Sequence, residues 1–141
     1  MIYCIVEGQS DAIIMSTVLN EIQKLGAKII MSNGFPSMPA VARTIMSYMD
    51  RRDKVLMVCD QDDFKEGSYG KDMLRFLLRG AMNNQSIELF VFNPNIDKLV
   101  STSGEGNVWK GKPAELEQRV RDNIDSILKD ETIIRILEFA K

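Results

Sequence analysis

Two stretches decide the fold: Ile2-Tyr3-Cys4-Ile5-Val6, closed by Glu7-Gly8, and Lys54-Val55-Leu56-Met57-Val58-Cys59, closed by Asp60-Gln61-Asp62-Asp63. Each is a short continuous apolar run bounded by polar residues, the pattern of a strand buried on both faces of a parallel sheet. In such sheets ligands bind at the carboxyl ends of the strands. If the two strands are neighbours, the carboxylates of Glu7, Asp60 and Asp62 converge on one small volume. Converging carboxylates repel one another unless a cation or a proton sits between them. The expectation is a Mg²⁺ or Mn²⁺ site.

Outward from these runs the chain alternates strand and helix. After the first strand, Ser10 is in place to cap a helix with the apolar stripe Ile14, Met15, Val18, Ile22 and Leu25, stopped by Gly26. Ala27 to Met31 reads as a second strand and Asn33-Gly34 as a turn. Ser37 then caps a helix with Pro39 in its first turn and Val41, Ile45, Tyr48 and Met49 facing inward. Arg51-Arg52-Asp53 leads into the third strand. A polar loop from Asp63 to Gly67 precedes a helix with Met73, Phe76, Leu77 and Ala81, and Ile87 to Phe92 is the fourth strand, stopped by Asn93-Pro94.

Four βα steps predict an α/β fold: three layers, a mainly parallel sheet of about four strands, and helices on both faces. Residues 1–100 form the α/β core in this reading. Residues 101–141 supply a loop and C-terminal helices packed on the same domain. That loop, Ser101 to Asn107, is followed by Val108-Trp109-Lys110-Gly111-Lys112, and long loops in compact domains tend to be functional or disordered. Pro113 opens a helix with Leu116, Val120, Ile124 and Ile127 buried, and a short helix from Ile133 to Phe139 ends the chain. The methionines fall mostly at inward positions and read as core filler.

Composition removes several chemistries. The chain has no histidine among its 141 residues, so Ser/His/Asp and Cys/His catalysis in their usual forms are excluded and hydrolysis must use carboxylates, lysine or a hard metal. Cys4 and Cys59 lie within the strand runs and read as buried free thiols. No apolar stretch approaches the roughly 18 residues that suggest a membrane span. The start, Met1-Ile2-Tyr3, carries no signal-peptide pattern, and a cytoplasmic protein is expected. A net charge of −2 gives no global footprint of a nucleic-acid binder, although acidic site residues can be balanced by local basic patches.

Glu7-Gly8-Gln9-Ser10-Asp11, Gly34 after the second strand and Asp60-Gln61-Asp62 after the third together resemble the Toprim domain. That is the metal-binding module of topoisomerases, bacterial primases, ribosomal-RNA maturases and the overcoming-lysogenization-defect nucleases. The resemblance covers residues 1–100. It implies that Glu7 is a metal ligand or general acid/base, and that Asp60 and Asp62 hold Mg²⁺. Gly8 would then turn the chain beneath the site, and Gly34 would let it pass close by.

The nuclease branch adds an acid four residues after the glutamate and another after the fourth strand. Asp11 fills the first position, and Asp97 of Pro94-Asn95-Ile96-Asp97 fills the second. These would serve a second cation about 3.5–4 Å from the first. That branch also carries a lysine soon after a Ser-x-Gly turn. Here Ser103-Gly104 is followed by Glu105, and Lys110 and Lys112 are the nearest substitutes. The topoisomerase and primase branches, which are expected to bring a strand-passage domain with a nucleophilic tyrosine or a zinc module, fit these 141 residues less well.

The resemblance therefore implies Mg²⁺- or Mn²⁺-dependent phosphodiester chemistry on DNA or RNA, as a nuclease with Glu7, Asp60, Asp62 and Lys110 or Lys112 at its centre. The alternative is a non-catalytic module that binds nucleic acid or a partner protein; a receiver-like phosphoacceptor domain fits the acid distribution less well. A separately encoded ATPase is a further partner the nuclease branch implies. Trp109 offers base stacking or loop packing, and Lys71, Arg75 and Arg79 recur at a spacing of four as a stripe that can track phosphates. Blander readings stand beside these: Asp60, Asp62 and Asp63 as an acidic turn, Asp11 and Asp97 as helix-start acids, and Arg43, Arg51, Arg52 and Lys54 as a solvated face.

Overall fold

The computed structural model describes residues 1–65, 86–101 and 111–141. Four strands, β1 (Ile2–Val6), β2 (Lys28–Met31), β3 (Lys54–Asp60) and β4 (Ile87–Phe92), form one parallel sheet in the order β2-β1-β3-β4. The two acid-terminated runs are the central pair, in register from Ile2 opposite Lys54 to Ile5 opposite Met57. Both are buried almost throughout, whereas edge strand β2 is half open to solvent.

Strand alternation sorts the side chains into two cores. Cys4, Val6, Leu56, Val58, Phe90 and Phe92 pack on one face against α1 (Gln9–Ser16), α3 (Pro113–Asp122), α4 (Ile124–Ile127) and α5 (Glu131–Ala140). Tyr3, Ile5, Val55, Met57 and Cys59 pack on the other against α2 (Met38–Met46) and the 3₁₀ turn Phe35–Ser37. Helices therefore cover both faces, as the βα alternation predicts. Met15, Met38 and Met57 fill these cores, and both cysteines are buried free thiols.

Several local expectations shift. Ser10 does not cap α1: the helix already begins at Gln9, with Gly8 extended at the N-cap and its carbonyl accepting from Ala12 N–H at 3.0 Å. The apolar stripe from Ile14 to Leu25 is not one helix either. Thr17 Oγ1 donates back to Ile13 O at 2.8 Å, a local competition that bends helices, and Thr17–Ile22 continues as a π-helical segment. Asn20 closes this segment by holding both backbone groups of Ala27, accepting from its N–H at 2.6 Å and donating to its O at 2.8 Å. Strand β2 accordingly starts at Lys28. Gly26, with φ of 66°, lies in the left-handed region expected of a helix stop.

Tyr48 is not inward but 61% exposed, its ring set edge-on to Tyr3. Pro113 opens α3 as expected, yet the stripe breaks at Asn123, so Leu116 and Val120 belong to α3 and Ile124 and Ile127 to α4. Helix α5 starts before Ile133 because Asp130 caps it, accepting from Ile133 N–H at 3.1 Å. The helix expected around Met73, Phe76, Leu77 and Ala81 and the greater part of the loop after Ser101 lie outside the described residues.

Candidate metal centre

The strand order reverses direction between β1 and β3, since β1 is followed by a neighbour on one side and β3 by a neighbour on the other. The carboxyl ends flanking such a switch point form the crevice in which open α/β sheets bind ligands. Glu7 follows the end of β1 and Asp60 ends β3, so the two central strands deliver one carboxylate each to that crevice. Backbone bonds fix Glu7: its carbonyl accepts from Gly34 N–H at 3.1 Å, and Ser32 N–H donates to Val6 O at 2.8 Å. Gly34 has φ of 124°, a conformation that side chains strongly disfavour, so a glycine is needed where the chain crosses beside Glu7.

After Asp60 the chain folds into a 3₁₀ turn, Gln61–Lys65. Side chains three residues apart on such a turn eclipse one another, and Asp63 returns beside Asp60, its Oδ2 accepting Asp60 N–H at 2.9 Å. Asp60 Oδ1 accepts from Ile96 N–H at 2.8 Å, which ties the loop after β4 to the same point. Carboxylate oxygens of Glu7, Asp60 and Asp63 all lie within 4.8 Å of one another. This acidic triad can hold a metal ion, and hard oxygen donors of this kind suit Mg²⁺ or Mn²⁺.

The electrostatics match that reading. Glu7 Oε1 is buried and has no hydrogen-bond partner. A buried acceptor facing other acceptors is costly unless a cation or proton intervenes. Burial first, then the adjoining Asp63 carboxyl, pushes Glu7 far above the usual carboxylate range. Burial likewise raises Asp60 to about 7, with Asp11, Asp63 and Asp97 adding to the effect against the opposing Ile96 N–H. Asp11 rises to about 6 through burial and then Asp97, while burial alone raises Asp97. The thiol of Cys59, next to Asp60, is pushed up by burial and by the triad, which keeps it protonated and inert.

Of the residues singled out in the sequence, Glu7 and Asp60 are brought together. Asp11, in the first turn of α1, and Asp97, on the 3₁₀ turn Ile96–Leu99, stand close enough to raise Asp60 electrostatically. Asp62 is exposed, and its N–H donates to Pro94 O at 3.3 Å. Lys112 is exposed at the N-cap of α3, 3.8 Å from Glu115, and lines a crevice with Gln9 and Ser10 at the start of α1. Lys71, Arg75, Arg79, Trp109 and Lys110 lie outside the described residues. Asp63 is the member that the alternating pattern missed. Its signal is the i, i+3 spacing from Asp60, meaningful only once a 3₁₀ turn replaces the strand.

The raised carboxyls make the metal-free protein sensitive to pH. The folded state holds protons that the unfolded chain has already released, so stability is fully present near pH 4 and falls as pH rises through about 7. After discounting for the solvent that reaches this half-buried site, the expected loss is about 1 kcal/mol, a few degrees in melting temperature. Thermal melts in chelator at about pH 5 and about pH 8 check this. Asp60→Asn flattens the difference, and Mn²⁺ raises the melting temperature more at the higher pH, where fewer protons compete.

In comparisons with known proteins, the chain matches no family model, no curated protein and no solved structure. Fold and site thus define a class directly: a small parallel α/β protein with an acidic cluster at the switch point of its sheet. Among the described residues, no helix is long and apolar enough to cross a membrane.

Proposed function

We propose that this is a Toprim-type protein performing Mg²⁺- or Mn²⁺-dependent phosphodiester cleavage on nucleic acid. The single observation that carries the reading is the convergence of Glu7, Asp60 and Asp63, with a buried Glu7 oxygen that lacks any donor. The sequence pattern Glu7-Gly8 through Asp60-Gln61-Asp62 supports it, because both halves fall at the ends of adjacent central strands.

Glu7, Asp60 and Asp63 would hold the cation, which supplies Lewis-acid polarisation of a phosphoryl oxygen and lowers the pKa of a bound water. The chain's own groups do the rest. Asp60 is fixed by Ile96 N–H and Asp63 by Asp60 N–H, so the donor set is preorganised and pays little to reorient. Asp11 and Asp97 would extend the donor set towards a second ion or a water, and Asp62, exposed beside the triad, would engage when substrate is bound. Lys112, at the N-cap of α3 and lining a crevice with Gln9 and Ser10 at the start of α1, would meet negative charge on a phosphate. Lys110, Lys71, Arg75 and Trp109 remain candidates along the path of the nucleic acid.

The test is incubation of the purified protein with plasmid, single-stranded DNA and structured RNA, with Mg²⁺, with Mn²⁺ and with chelator. Metal-dependent cleavage of at least one substrate is expected. Lys112→Ala should then lower kcat by about 10²-fold with little change in KM, the signature of a cation that acts on developing charge. Glu105 stands where the nuclease branch has its lysine, and this favours a second reading, a module that binds nucleic acid without cutting it. Wild type that binds but never cleaves with either metal establishes that second reading. Lys112→Ala would in that case weaken affinity alone, with a shallower salt dependence.

A further inference from the structure

Three carboxylates gathered within 4.8 Å push one another apart, and Asp63 is the one carried on the 3₁₀ turn Gln61–Lys65. That turn must be held in place. One tie is the bond from Asp60 N–H to Asp63 Oδ2 at 2.9 Å. The residue after Asp63 supplies another. The ring of Phe64 meets that of Phe35 edge-on, with centroids 5.1 Å apart and planes at 62°, a geometry in which aromatic pairs attract.

We infer that Phe64 is a positioning residue for the acidic triad: locked against Phe35, it fixes the rotation of the turn Gln61–Lys65 so that Asp63, rather than Asp62, meets Glu7 and Asp60. The clamp on Asp63 stands on contacts within the protein; its effect on metal uptake rests on the metal-centre reading.

A 3₁₀ helix has three residues per turn, so successive side chains leave it roughly 120° apart. Asp62, Asp63 and Phe64 therefore take three different directions. Asp62 is exposed, Asp63 reaches the triad, and Phe64 packs against the core between the sheet and α2. Rotating the turn by one position to bring Asp62 inward would put the Asp63 carboxylate into the apolar core and the Phe64 ring into solvent. Both changes are unfavourable, so the aromatic ring decides which aspartate enters the site.

The surface that Phe64 meets is itself fastened to Glu7. Phe35 is buried and opens the 3₁₀ turn Phe35–Ser37. Gly34, just before it, donates its N–H to Glu7 O at 3.1 Å and accepts the Ser32 hydroxyl at 2.8 Å. Backbone thus joins Glu7 to Gly34, rings join Phe35 to Phe64, and a hydrogen bond joins Asp63 to Asp60. The ring contact is the link that can be altered without touching a carboxylate.

Two readouts separate the clamp from the metal. Amide hydrogen exchange in chelator reads the Asp60 N–H bond, and calorimetric titration with Mn²⁺ reads the triad. Phe64→Leu removes the ring but keeps an apolar side chain; Phe64→Met is the milder change and decides the matter if Phe64→Leu does not fold. Exchange at Asp60 should accelerate at least about 10-fold relative to Met57, in the middle of β3. Mn²⁺ affinity should fall at least about 10-fold, the low end of what losing a residue that orients a ligand costs. Phe139→Leu is the control. Its ring pairs edge-on with Phe90, centroids 5.8 Å apart, and its carbonyl accepts from Lys54 Nζ at 2.8 Å. Lys54 opens β3, roughly 20 Å along the strand from Asp60. Phe139→Leu should lower the melting temperature yet leave both readouts within about 2-fold of wild type.

Unchanged exchange at Asp60 in the folded Phe64 variants overturns the proposal, as does an equal response to Phe139→Leu. Faster exchange with unchanged Mn²⁺ affinity overturns the ring's part in metal uptake. Wild type that takes up no Mn²⁺, with exchange at Asp60 still faster in the Phe64 variants, refutes the metal centre and leaves the clamp on Asp63 standing.

Discussion

Asp60→Asn should lower the proposed metal-dependent cleavage by at least about 10³-fold while leaving the protein folded, because it removes a triad carboxylate that is also tied to the loop after β4. Asp60 ends central strand β3, faces Glu7 and Asp63 within 4.8 Å and accepts from Ile96 N–H at 2.8 Å. An asparagine keeps a side-chain oxygen for the Ile96 bond but cannot supply a charge to a divalent ion. It also relieves the crowding that pushes Asp60 up to about 7, so the melting temperature in chelator should hold or rise. Asp60→Ala makes the contrast: it loses the Ile96 bond as well and should cost about 1–2 kcal/mol of stability. Gel-based cleavage rates and thermal melts on the two variants check both halves. A melting temperature that falls by many degrees in Asp60→Asn would make the residue structural.

Asp63→Asn should lower Mn²⁺ affinity at least about 10²-fold, whereas Asp62→Asn changes it less than about 3-fold in the absence of substrate. The two aspartates are adjacent in sequence, and the difference rests on turn geometry. Asp63 sits in the triad with its Oδ2 on Asp60 N–H, while Asp62 is exposed. Calorimetric titration of the three proteins with Mn²⁺ separates them. Equal losses at both positions would mean that the turn rearranges around the ion.

That pair of residues shows where the sequence is legible and where it is not. Two apolar runs ending in acids predict two buried strands of a parallel sheet with carboxylates at their ends, and the strand order then makes β1 and β3 neighbours, which brings those ends together. Periodicity two, carried past the end of β3, pairs Asp60 with Asp62; the 3₁₀ turn changes the period to three and substitutes Asp63. Turn type at a strand end depends on contacts such as Asp62 N–H to Pro94 O, more than thirty residues away in sequence, and no local pattern encodes it.

The same limit explains the α1 region. Ser10 has the chemistry of a cap, yet the chain must turn immediately after Glu7, so Gly8 takes the N-cap and Ser10 falls inside the helix. The change to a π-helical segment at Thr17 turns on a side-chain hydrogen bond to Ile13 O and on the Asn20 clamp around Ala27. Neither disturbs the apolar spacing that a periodicity reading registers. By contrast, Pro113 opening α3 follows from a residue type whose backbone preference survives tertiary context, and Asp97 close to Asp60 falls where the resemblance implies an acid after the fourth strand.

Crystals soaked in Mn²⁺ and measured for anomalous scattering test the central claim most directly. The account predicts one strong peak within coordination distance of Glu7, Asp60 and Asp63, with the Glu7 oxygen that lacks a donor among its ligands. The peak should vanish in Asp60→Asn. A fully occupied Mn²⁺ bound elsewhere on the chain, with the triad holding only protons or water at saturating metal and about pH 8, would contradict it.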